Sequence, residues 1–145
     1  MKALQARLNS LQSGDGWHLL VGVLSADQKI SHDGEELPVT IADVAAFHEF
    51  GLGVPQRSFI GAWFDTNDKA LRSLATRQVQ AYLQGNKDQD QVMSYVGSYC
   101  VGGIQARMAA GIPPPLLPAT IKAKGSSKPL IDTGQLRTSI TFAWY

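Results

Sequence analysis

The sequence predicts an α+β fold, a small antiparallel sheet packed with helices. Three observations lead there. Two short stretches rich in β-forming residues stand near the chain's ends, "WHLLVGVL" (17–24) and "SITFAWY" (139–145), and each needs a partner strand. Between them, apolar residues recur at spacings of three and four over two long segments. Glycine and proline punctuate the junctions, in "SGDG", "GLGVP" and "GIPPP".

In chain order, Ala3, Leu4, Leu8 and Leu11 sit at helical spacing and predict a first helix near 2–12, stopped by "SGDG". A strand follows near 17–24. The polar stretch 25–38 holds the turn signal Asp33–Gly34 and reads as a loop or a weak hairpin. Thr40 is a good N-cap for a helix over 40–50, with Ile41, Val44, Ala45 and His48 on one face. Gly51 and Gly53 end it, and Pro55 stiffens the connection to the next helix.

Ser58 reads as the cap of a long helix over 58–84, with Ile60, Trp63, Phe64, Leu71, Leu74 and Tyr82 as its stripe. After the loop "GNKDQDQ" a further helix runs over 90–110. It carries Val92, Val96, Tyr99, Ile104 and Met108, and the small residues Gly97, Ser98, Gly102 and Gly103 admit another backbone closely. "GIPPPLLP" breaks helix, and the basic segment to Lys128 makes 112–128 an expected mobile stretch. Asp132 and Gln135 have capping-box spacing, flanked by Ile131 and Leu136, so a short helix should precede the closing strand. Ile140, Phe142 and Trp144 alternate onto one face of that strand, which should pair with 17–24.

At 145 residues the chain reads as one domain with its own core. Its charged fraction is 17%, against roughly 25% for an average soluble protein, so part of its surface is expected to meet other protein. Residues 1–50 hold three basic and seven acidic side chains; residues 51–145 hold ten and five. Opposite charge on two halves suits head-to-tail contact between copies. No Lys/Arg run is dense enough for a nucleic-acid footprint. Cys100 stands alone among apolar neighbours and reads as a buried, inert thiol in a reduced compartment. No apolar run approaches the roughly 20 residues of a membrane span, so a soluble protein is expected.

Enzyme motifs are weak. His48–Glu49 in "HEFG" invites a metal reading, but the zincin pattern needs a second His four residues on, and that position is Leu52. His18 and His32 lie elsewhere, on a strand and in a loop. The bland reading puts His48 on the core side and gives Glu49 the task of fixing the next turn. No serine has a nucleophile elbow around it, and "GLGVPQ" fails the dinucleotide pattern. Glu35–Glu36 sit in the loop with nothing to shift their pKa. "DTG" at Asp132, Thr133 and Gly134 also occurs in retroviral-type aspartic proteases, but there it follows a strand in an all-β chain. No catalytic residue, metal ligand or cofactor is expected.

Two segments resemble a known family. "VAAFHEFGLGVPQRSFIGAWF" is similar to the "A-x-x-(H/N)-E-(F/Y)-G-x…I-P-x-R-x-F" element of tailed-bacteriophage virion morphogenesis proteins, matching at Ala46, His48, Glu49, Phe50, Gly51, Pro55, Arg57 and Phe59. "PATIKAKGSSKPLIDTGQLRTSITF" resembles their C-terminal "T-(I/L)-x-x-K…P-L-(I/V)-D-T-G-x-L-x-x-S-(I/L)" element, matching through Lys122, Lys124, Asp132, Thr133, Gly134 and Leu136. Val54 and Ser58 depart from the pattern.

The resemblance implies a tail-completion or head–tail connector (neck) subunit, made in the bacterial cytoplasm and resident in the virion. Its copies would form a ring of about six or twelve. The partners implied are further copies and neighbouring neck, portal-adaptor or tail-tube proteins. DNA would pass through the lumen without being recognised, and no membrane is involved. The alternatives are an assembly factor that leaves the virion and a metal- or carboxylate-dependent hydrolase. The expected subunit contact sets Lys122, Lys124 and Lys128 against Asp33, Glu35 and Glu36 of the next copy. Arg57 is expected to pair internally with a carboxylate such as Glu49, or otherwise to reach a neighbour.

Overall fold

Residues 1–12, 16–32, 35–119, 122 and 134–145 are described by the computed structural model. The two terminal apolar stretches pair as expected. β1 (Leu19–Val23) and β4 (Ile140–Trp144) form an antiparallel ladder with Leu19 opposite Trp144 and Val23 opposite Ile140. His18 and Tyr145 extend it by exchanging backbone hydrogen bonds of 2.9 and 3.1 Å. Inward residues alternate along β4, with Ile140 buried and Phe142 and Trp144 half-buried.

The stretch 25–38 yields a real hairpin, β2 (Lys29–His32) against β3 (Glu35–Thr40), with an irregularity between Lys29 and Ser31. It is a second two-stranded sheet, separate from the first. His32, Glu35 and Glu36 therefore belong to strands rather than to a loop. β3 is exposed from Glu35 to Pro38. Pro38, which has no N–H to give to a ladder, suits such an edge.

β3 runs directly into α2 (Ile41–Phe50). Thr40 caps α2 as expected, and Asp43 completes a capping box by accepting from the Thr40 N–H at 2.9 Å. Those bonds, to the Thr40 backbone and then its hydroxyl, hold the Asp43 pKa below its ordinary value. Gly51 closes the helix at φ 71°, a left-handed conformation that glycine adopts without cost.

α3 (Gly61–Leu83) and α4 (Gln89–Ala110) pack against each other, and α4 also covers the β1–β4 sheet. Glycines set both approaches. A Cβ at Gly103 would strike the Trp63 indole, and one at Gly97 would strike the Phe142 ring. Ile41, Phe59, Ile104, Met108 and Cys100 are the most deeply buried side chains. Burial pushes the Cys100 thiol up to about 11, so it is inert as expected. α1 (Lys2–Gln12) buries no residue; Arg7 ties it down by donating to the Tyr82 and Lys87 carbonyls at 2.6 and 3.1 Å.

The stretch expected to be mobile begins packed. Ile112 is part of the core, and the carbonyl of Pro114, which follows a cis peptide, is held by Arg57. Most of its remainder lies outside the described residues, as does Asp132 of the expected capping box. The short helix α5 (Gln135–Thr138) precedes β4, with Leu136 buried. Among the described residues no helix is long and apolar enough to cross a membrane.

Candidate functional site

The "HEFG" segment and the start of α3 form one joint. Glu49 lies in the last turn of α2, and Gly51 and Pro55 fold the chain back so that 58–61 returns beneath it. The Glu49 carboxylate then accepts four hydrogen bonds. Ser58 Oγ donates at 2.7 Å, and the backbone N–H groups of Phe59, Ile60 and Gly61 donate at 2.9, 3.0 and 2.8 Å.

A helix begins with N–H groups that have no partner inside it, and its N-terminal end is partly positive. A carboxylate from another helix supplies both the acceptors and the charge. This corrects the expected start of the long helix. α3 begins at Gly61, three residues after Ser58, and Ile60 at its head offers no side-chain cap. Ser58 contributes from outside the helix by accepting from the Ala62 N–H at 2.9 Å.

The local backbone shares the work. The Arg57 N–H donates to the His48 carbonyl at 2.7 Å, and Gln56 Nε2 donates to the Glu49 carbonyl at 3.0 Å. The Leu52 N–H reaches back to the Phe47 carbonyl at 2.9 Å. Burial alone would push the Glu49 pKa up. The bonds from Ser58, Ile60, Gly61 and Phe59 together outweigh it and hold the carboxyl below its ordinary range.

Arg57 is 4% exposed. Its Nε donates to the Pro114 carbonyl at 3.0 Å and its Nη1 to the Pro55 carbonyl at 3.5 Å. The expected internal role holds, but its acceptors are carbonyls. Among the described residues the donors to the Glu49 carboxylate all belong to 58–61, so Glu49 is not its partner. Phe59 is fully buried, whereas Phe50 is 68% exposed and Leu52 55% exposed. Phe50 borders an open, largely apolar groove of about 420 Å³ lined also by Val23, Ala42, Ala45, Ala46, Ile60 and Gly61, with Glu49 as its one ionisable residue.

Glu35, Glu36 and Lys122 are exposed. Glu36 faces Lys29 of its own hairpin at 3.5 Å. Asp33, Lys124, Lys128, Asp132 and Thr133 lie outside the described residues. Gly134 heads α5 at φ 74°. His18 stacks on Tyr145 with ring centroids 5.0 Å apart. Among the described residues no group of three or more His, Cys, Asp or Glu could hold a metal ion.

The geometry of the joint is that of a structural clamp. Comparison with protein families, curated proteins and solved structures gives no match in any of the three.

Proposed function

We propose that this chain is a structural subunit of a tailed-phage virion, forming a ring at the head–tail junction through protein–protein contacts. The observation that carries the reading is the pair of segments "HEFGLGVPQRSF" and "PLIDTGQL", in that order and spacing, on an α+β chain.

Two features support it. Two of the first segment's three ionisable residues, Glu49 and Arg57, are spent on groups of their own chain, which suits a shape-giving element better than a reaction centre. The low charge, the exposed Phe50 at the edge of an apolar groove and the exposed Leu52 suit a subunit with neighbours. Opposite charge on the two halves of the chain complements such contacts.

The test is quantitative mass spectrometry of density-purified particles, counting this chain against the major capsid protein. About six to twelve copies per particle supports a ring in the neck or tail end. Absence from finished particles, with the chain abundant in lysates, moves it to the assembly-factor reading.

A further inference from the structure

One face of α4 is left exposed among the described residues. Between Asp90 and Arg107 the chain runs for sixteen residues without a charge. Val92, Val96, Cys100, Ile104 and Met108 turn into the core. On the opposite side Gln91, Tyr95, Ser98, Gly102 and Ala106 are exposed, spaced by four, three, four and four. A surface helix ordinarily shows charge on its outer face. Loss of charge together with exposed tyrosine is the composition of an interface core.

The face has two unlike halves. Its N-terminal half presents Tyr95 and, on the flank, Tyr99, which are 51% and 40% exposed. The Lys87 ammonium, 4.4 Å from the centre of the Tyr95 ring, holds that ring in place. The C-terminal half is a shallow hollow of about 370 Å³ floored by Gly102, Ala106 and Ala109 and rimmed by Arg137.

Apart from Lys87, which is engaged by the Tyr95 ring and Gln78, the two ends carry opposite charge. Asp90 is exposed at the N-terminal end and Arg137 half-exposed at the other, and neither has an ion-pair partner among the described residues. At about 100° per residue, Asp90, Ser94 and Gln105 share one flank of the helix. Gln105 donates to the Arg137 carbonyl at 3.0 Å, which puts Arg137 beside that flank too.

We propose that α4 pairs antiparallel with α4 of a second copy, about a two-fold axis passing between Ser98 and Gly102. Such an axis keeps one flank on one side while exchanging the helix ends. Each Tyr95 then enters the hollow at Gly102 and Ala106 of the other copy, and each Asp90 meets the other copy's Arg137. Parallel pairing in register would instead set Tyr95 against Tyr95 and Asp90 against Asp90. The face complements itself in both shape and charge, which selects a second copy as its occupant. The contact is isologous, so it closes as a pair and does not by itself build a ring. It stands independently of the head–tail reading.

Sedimentation of the full chain from micromolar to millimolar concentration tests the pairing. The wild type is expected to dimerise reversibly. Asp90→Arg and Arg137→Asp should each weaken the dimer about tenfold, and the double exchange should restore it. Ala106→Arg should abolish the dimer while leaving the circular dichroism and unfolding midpoint unchanged, because that position is exposed. A monomer at every concentration overturns the proposal and leaves the face to a different partner. A dimer indifferent to Ala106→Arg, or not restored by the double exchange, overturns the antiparallel geometry.

Discussion

The α2–α3 joint and the β2–β3 hairpin both hold acidic residues at a change of chain direction, yet they use them in opposite ways. In the joint, one carboxylate gathers three backbone N–H groups and a hydroxyl from 58–61, and its neighbour Arg57 reaches across to Pro114. In the hairpin, Glu36 meets Lys29 at 3.5 Å with both side chains well exposed. The difference is one of desolvation. A carboxylate that satisfies buried N–H groups fixes how two helices leave each other, because those groups have no other acceptor. A surface ion pair exchanges with water and fixes almost nothing. The joint's charges are spent within the fold, and the hairpin's remain free for other contacts.

That contrast can be broken at graded depth. The largest effect is expected from Glu49→Ala, which strips the start of α3 of its acceptor. It should cost about 2 kcal/mol in chemical denaturation. Gly61→Ala comes next. A Cβ there would lie 2.9 Å from Glu49 Oε1 and 3.3 Å from Ser58 Oγ, so these two side-chain ends must give; alanine's better helix propensity offsets part of the cost, which leaves about 1 kcal/mol.

Glu49→Gln keeps the shape but loses the charge and sets an NH2 group against two of the four donors, at about 1 kcal/mol near neutral pH. The pH dependence sharpens this. The folded pKa of Glu49 lies below its unfolded value, so its contribution is complete above the unfolded value and is lost as pH falls through the folded one. Wild type and Glu49→Gln should therefore differ most near neutrality and converge in acid, as read from urea midpoints. The smallest effect belongs to the hairpin. Lys29→Met should change stability by less than about 0.5 kcal/mol, and added salt should erase that difference.

Elements built from neighbours in the sequence were legible. Thr40 with α2, Gly51 at its end and the core stripe through Trp63, Leu74 and Tyr82 follow from local spacing, and the β1–β4 pairing follows because each of the two terminal apolar strands needed a partner. Features that depend on chain return were not. Ser58 is a sound cap by residue type, but Glu49 arrives from the preceding helix and takes that place, moving the start of α3 to Gly61. Arg57 finds Pro114 fifty-seven residues away, a partner that no local pattern encodes. The capping box of α4 was readable, since Asp88 and Gln91 have the required spacing, but the surrounding polar run "GNKDQDQ" hid it. That Glu49 fixes the turn after "HEFG" was legible; which donors it would collect was not.

The central claim is that the Glu49 carboxylate, as an anion, organises the joint. Its side-chain carboxyl carbon followed by NMR through an acid titration tests this most directly. The account predicts a midpoint below the ordinary glutamate value of about 4.3, with the Phe59, Ile60 and Gly61 amide protons shifting at the same midpoint. A midpoint at or above that value, with those amides unmoved, would contradict it.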